Sequence, residues 1–257
     1  MDILRYYLSD INNESQAYSR IRKAVGYCGF IIPTLCLLLA LTSQCSSTLL
    51  PSISHYYYTI IGDIFSAVLF ALGLFLLLYR SVFQISHFRR WENRITNLAG
   101  LMAWIVAFIP TDPEGGDCYF IALTHESYLN AYGWWGNLHL PAAGIMIISF
   151  GVISAQFFPR NWKTGQYDSD NKKIYKACGY TIFISIGILI LYFADSKLLD
   201  GKFLSKLEHI KIVFLMECVA VFAFAISWLK KGRAVGGLLH AYESMKKSSE
   251  NEIPTSK

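Results

Sequence analysis

The chain has 257 residues, of which 54% are hydrophobic and only 16% charged, with a mean hydropathy of +0.36. That balance fits a polytopic membrane protein rather than a soluble enzyme domain. The net charge of +5 is no nucleic-acid signal, because the basic residues stand beside apolar runs, where they set topology.

In chain order, residues 1–23 read as a polar, basic cytoplasmic segment with Arg5, Arg20, Arg22 and Lys23, and no removable signal peptide is expected. The sequon at Asn13 falls in this segment, where it is inert. A first span is predicted over 24–43, bent at Pro33. A serine-rich outer loop, 44–58, ends in Tyr56, Tyr57 and Tyr58, which read first as an interfacial aromatic belt. Span 2, 59–80, carries Asp63, and the inner loop after it is rich in Arg. Span 3, 94–110, is the shortest and ends in Ile109-Pro110-Thr111-Asp112-Pro113. An outer loop without Lys or Arg leads to span 4, 137–157, with His139 in its first turn. After a basic inner loop come span 5, 175–194, closed by Asp195, and span 6, 210–229, with Glu217 inside it. The tail 231–257 offers one short amphipathic helix, 234–245, before a polar end expected to be disordered.

The fold class expected is therefore all-α: a polytopic bundle of six transmembrane helices over 24–230, with no soluble catalytic domain attached. All but four of the 23 Lys and Arg residues fall in the N-terminal segment, the inner loops and the C-terminal tail. The positive-inside rule then places both termini in the cytoplasm.

This orientation gives the polar residues a depth. Asp63, Asp112, His139, Asp195 and Glu217 all fall in the outer half, and no ionisable residue is expected in the inner half of any span. An acid in hydrocarbon costs roughly 2.5–3.5 kcal/mol, so Asp63 and Glu217 should face protein or a water pocket. Asp63 shares a helical face with Ser66, Ala67, Phe70 and Gly73, and Glu217 with Ala220, Phe224 and Ser227, so both faces are expected against other helices. His139 or a tyrosine is the expected partner of Glu217. Such a carboxylate–imidazole cluster suits acid/base chemistry, proton coupling or metal binding. Against these stand plainer roles: Asp112 organising a turn, His139 bridging helices, the acids holding helices together.

Cys28, Cys36, Cys178 and Cys218 lie in spans and read as packing residues, while Cys45 and Cys118 fall in two outer loops and leave a disulfide open. No metal-type cysteine spacing, Walker loop, Rossmann fingerprint, Gly-x-Ser-x-Gly or His-Glu-x-x-His occurs, and no cofactor is expected. No His-x-x-x-His lies in a span, which argues against the alkaline-ceramidase and adiponectin-receptor type of membrane zinc hydrolase.

The stretches SISHYYYT, GDIFSAVLFALGLFLLLYR, NLAGLMAWIVAFIPTDP, LHLPAAG, KIYKACGY and FLMECVAVFAFAISWLKKG resemble a family of bacterial six-span membrane proteins to which no activity is assigned. More distantly, the chain is similar to the DRAM-like and GPI-lipid-remodelling membrane proteins. The resemblance covers about residues 50–232 and implies a bacterial inner membrane. It emphasises Ser54, Tyr57, Asp63, Pro110, Thr111, His139, Glu217, Ser227 and Trp228. This chain departs from it at Tyr58, where many members have His, and at Gly62, where they have Arg.

The functional expectation is an outward-facing polar pocket in the bilayer that binds or modifies a lipid headgroup. Asp63, Asp112, His139 and Glu217 are the candidate reacting groups, and Ser54, Tyr57, Tyr58 and Thr111 complete the pocket. The alternatives are a proton-coupled transporter of a small solute and a structural or sensory membrane module. The expected partners are the bilayer and a lipid or small-molecule ligand, not nucleic acid.

Overall fold

The computed structural model describes residues 2–42, 49–111, 136–167, 172–198 and 209–251. Helices dominate them: α1 (Asp2–Thr42), α2 (Gly62–Leu78), α3 (Ser86–Phe108), α4 (Gly136–Val152), α5 (Lys172–Leu198) and α6 (Ile212–Asn251). A 3-10 helix, Ile53–Tyr58, precedes α2, and a π turn, Ile153–Phe157, continues α4.

Among the described residues, four stretches are long and apolar enough to cross a membrane: Ser19–Leu41, Asn137–Phe157, Lys172–Ser196 and Ile212–Gly232. Helix α2 is apolar but shorter. Helix α3 has the length, yet its first half carries Arg89, Arg90, Glu92 and Arg94, and only the half predicted as span 3 is apolar.

Two boundaries differ from the sequence reading. The segment 2–23 is not a separate tail: α1 runs unbroken from Asp2, since no Gly or Pro interrupts it before Gly26. The C-terminal helix likewise continues α6 to Asn251 instead of standing alone over 234–245.

Each helix packs against its neighbours in the chain, and α6 closes onto α1, so the six form a ring. The α1/α6 pair runs antiparallel: the Ser19 hydroxyl donates to the Gly232 carbonyl at 2.8 Å, and Phe30 meets Phe222 further along. Between lipid-facing helices apolar burial gives little drive, so contact depends on close backbone approach. Small residues supply it. A Cβ on Gly73 would lie 2.4 Å from the Trp104 ring, and one on Gly100 only 2.8 Å from the Gly73 carbonyl oxygen. On the α1/α6 seam, a Cβ on Gly26 would meet Leu229 at 2.6 Å. Aromatic rings fill the middle, where Phe150 stacks on Phe224 at 3.7 Å and Trp228 packs against Tyr79 and Phe158.

The α2/α3 crossing yields a direct test. Gly100→Ala should destabilise the detergent-solubilised protein by roughly 1–3 kcal/mol in thermal or denaturant unfolding, because the clash is with backbone that cannot rotate away. Gly144→Ala, where an added Cβ meets nothing within 4 Å, should leave stability unchanged or raise it.

Candidate functional site

The chain between α1 and α2 is held against the interior of the ring. Non-helical backbone at such a place needs a partner for each amide and carbonyl. Helix α6 provides two of them, and side chains of the segment reach α4 and the chain just past α3. The Phe214 amide, in the first turn of α6, donates to the Pro51 carbonyl at 3.1 Å. The Ile53 amide donates to Glu217 Oε2 at 2.7 Å. Ser54 Oγ lies 2.8 Å from His139 Nε2 on α4, and His139 Nδ1 is hydrogen-bonded to the Ile109 carbonyl just past α3. The Tyr58 hydroxyl donates to the Thr111 carbonyl. Within the segment, Ser52 Oγ pairs with His55 Nδ1 at 2.6 Å.

The Ile109 carbonyl can only accept, so His139 Nδ1 carries a proton. In the neutral imidazole Nε2 is then an acceptor, and Ser54 donates to it. Below this segment lies a cavity of about 50 Å³, lined by Ser54, Glu217 and apolar side chains that include Leu69, Val106, Met146 and Phe224. Glu217 thus gives one carboxylate oxygen to the Ile53 amide and borders an otherwise apolar space.

Most of the expected pocket meets here, but two expectations fail. Asp63 does not face the bundle: it is exposed in the first turn of α2. The inward face of that helix is Phe65, Leu69, Leu72 and Leu76, whereas Phe70, on the side of Asp63, is 40% exposed. A carboxylate in a first turn is stabilised by the free amides there without help from other helices. Its influence is felt by Tyr57, whose phenol is pushed above its ordinary value by burial first and the Asp63 carboxylate second, with the Ser66 hydroxyl opposing. Glu217, for its part, takes a main-chain amide as partner rather than an imidazole or phenol. Asp112, Cys45 and Cys118 lie outside the described residues. Cys28, Cys36, Cys178 and Cys218 are buried free thiols. At Gly62, an added Cβ would sit 2.0 Å from the Tyr57 carbonyl oxygen, so the turn into α2 has no room for the side chain that the resemblance places there.

A second polar cluster lies at the opposite end of the ring and was not anticipated. Arg22 is 1% exposed and Glu92 2% exposed. Arg22 donates to the Tyr79 hydroxyl at 2.8 Å, and that hydroxyl donates to Glu92 Oε1 at 3.0 Å. The Ser81 hydroxyl donates to Glu92 Oε2, and the Ser81 amide to Asn93 at 2.7 Å. The end of the ring away from the 3-10 helix therefore does hold ionisable groups. Their signal was present: Arg22 is in helical register with the buried Val25, Gly29 and Ile32, and Glu92 with Thr96, Ala99 and Ala103.

Among the described residues no group of three or more His, Cys, Asp or Glu side chains is placed to hold a metal ion. The outer cluster can do two things chemically: accept a cationic or hydrogen-bonding group at Glu217, and draw a proton from Ser54 through His139. In comparisons with known proteins, the chain matches no family model, no curated protein and no solved structure.

The inner cluster makes its own prediction. Arg22→Met strands the Glu92 carboxylate and should cost roughly 3–5 kcal/mol, whereas Arg22→Met with Glu92→Leu should recover most of it. Unfolding of the single and double variants in mixed micelles measures the coupling.

Proposed function

We propose that the protein is an integral membrane protein of six spans, with both termini cytoplasmic, in a bacterial inner membrane, and that it binds the head region of a lipid at Glu217, Ser54 and His139. The observation that carries this reading is the cavity beneath the 3-10 helix, where Glu217 and Ser54 border a space otherwise lined by apolar side chains. A carboxylate beside apolar surface selects a partner that brings positive charge together with hydrocarbon. A lipid headgroup carrying an ammonium meets both conditions. At about 50 Å³ the cavity takes a small group rather than a whole molecule, so the acyl chains stay in the bilayer. The concentration of Lys and Arg beside alternate ends of the apolar runs supports the orientation, and the antiparallel α1/α6 pair is consistent with termini on one side.

A second reading, a structural module, is favoured by the hydrogen bonds themselves, since Glu217 and His139 both grip the 3-10 segment. Two substitutions separate them. Glu217→Gln keeps an acceptor for the Ile53 amide but removes the charge, whereas Glu217→Ala removes both. Under lipid binding, Glu217→Gln keeps its melting temperature and loses co-purified ammonium lipid in native mass spectrometry by tenfold or more. If Glu217→Gln retains its lipid and only Glu217→Ala changes anything, by loss of stability, the residue is a clamp alone. Orientation is checked by a C-terminal reporter active only in the cytoplasm, which should give full signal.

A further inference from the structure

Two serine–histidine pairs occur in one short stretch, and they differ in a telling way. Ser52 and His55 are three residues apart on the same turn, and Ser52 does not border the cavity. Ser54 and His139 come from distant parts of the chain, brought together by the packing of α4 on the segment. In that second pair the imidazole is oriented from behind: Nδ1 is fixed on the Ile109 carbonyl, so Nε2 presents its lone pair to the Ser54 hydroxyl at 2.8 Å. His139 is 3% exposed, which keeps that orientation. Ser54, by contrast, lines the cavity. A hydroxyl within hydrogen-bond reach of a base, with the base held by a third group, is the arrangement an activated nucleophile needs. Here a main-chain carbonyl takes the orienting place that a carboxylate fills elsewhere.

We propose that Ser54 is an acyl-accepting nucleophile and His139 its general base, acting on the ester or amide bond of the lipid whose head region the cavity takes; this step rests on the lipid-binding reading above. Ser54 Oγ attacks the carbonyl carbon while its proton passes to His139 Nε2. The tetrahedral intermediate collapses by breaking the bond to the alcohol oxygen or amine nitrogen, which leaves with the proton from Nε2. The acyl group remains as an ester on Ser54. A water molecule, giving a proton to Nε2, then attacks that ester carbonyl. The bond to Oγ breaks, Oγ regains the proton, and a fatty acid is released. No redox change occurs, and water is the sole co-reactant. Glu217, bonded to the residue before the nucleophile, is a positioning residue for this step and the anchor for the ammonium of the substrate.

The test uses the full-length protein in native-lipid nanodiscs with an alkyl fluorophosphonate probe, followed by peptide mass spectrometry. Wild type should be labelled on Ser54, Ser52→Ala should label at the wild-type rate, Ser54→Ala should not label, and His139→Gln should label at least a hundredfold more slowly. An unlabelled wild type, or label on another residue that persists in Ser54→Ala, overturns the proposal. Because the site is mapped on wild type, a poorly folded variant cannot rescue or sink it. If wild type is unlabelled yet still carries ammonium lipid that Glu217→Gln releases, acyl transfer fails and lipid binding stands. Labelled Ser54 without any co-purified lipid has the reverse meaning: the nucleophile is real and the headgroup preference is wrong.

Discussion

The first amide of a buried helix has no acceptor within that helix and must find one elsewhere, and the Ile53 amide, at the start of the 3-10 helix, finds the carboxylate of Glu217. Much of the outer end follows from that bond. It ties the segment between α1 and α2 to α6, the helix that also closes the ring against α1. Once Ile53 is fixed, Ser54 can point only where the 3-10 turn sends it, which is toward His139. The same turn carries Tyr58 to the Thr111 carbonyl beyond α3. One acid in the interior thus sets the position of a hydroxyl, an imidazole and the lid over a cavity. The hydrogen bond from the Ile53 amide returns part of the cost of taking that acid out of water.

The two ends of the ring solve the burial of charge differently. At one end Arg22 and Glu92 are both present, joined through the Tyr79 hydroxyl, so opposite charges offset one another inside the fold. Tyr79 also presents its ring edge to Trp228, which ties the cluster to the aromatic middle. At the other end Glu217 has an amide for a partner rather than a counter-charge, and it borders open space. A paired cluster surrounded by packed rings serves the fold. An acid left with an amide and a cavity is what the proposed lipid-binding reading rests on.

The sequence made the helices legible because lipid imposes long apolar runs, and four of the six appear at nearly the predicted places. The expected face of Glu217 toward the bundle agrees with its place on the cavity, where its helical neighbours Ala220 and Phe224 are buried. What the sequence hid has physical causes. Small residues beside Asp63 suggest a packing surface, yet on α2 Phe65 and the leucines do the packing and only Gly73 of the small set is buried. Arg22 and Glu92 were hidden because charge near a span end reads as topology, although their helical register with buried residues points inward. The partner of Glu217 could not be read at all, because every residue has an amide and the sequence does not say which one is orphaned.

The tautomer of His139 decides between the chemistries that an acid–imidazole cluster leaves open. A metal site would need the Nε2 lone pair for the ion and at least two more ligands beside it. Here Nε2 faces a hydroxyl, and the nearest acid of the cavity is engaged with an amide one residue away. Proton coupling would need a path for the proton, yet below Glu217 stand Val221, Phe224 and Phe150, with the last two rings stacked. A base facing a hydroxyl needs neither ion nor path. It needs only a carbonyl brought within reach on the cavity side, and a lipid head region anchored by its ammonium at Glu217 would present one. On the proposed reading the hydroxyl of Ser54, rather than the more expensive acids, is therefore the group on which the chemistry turns.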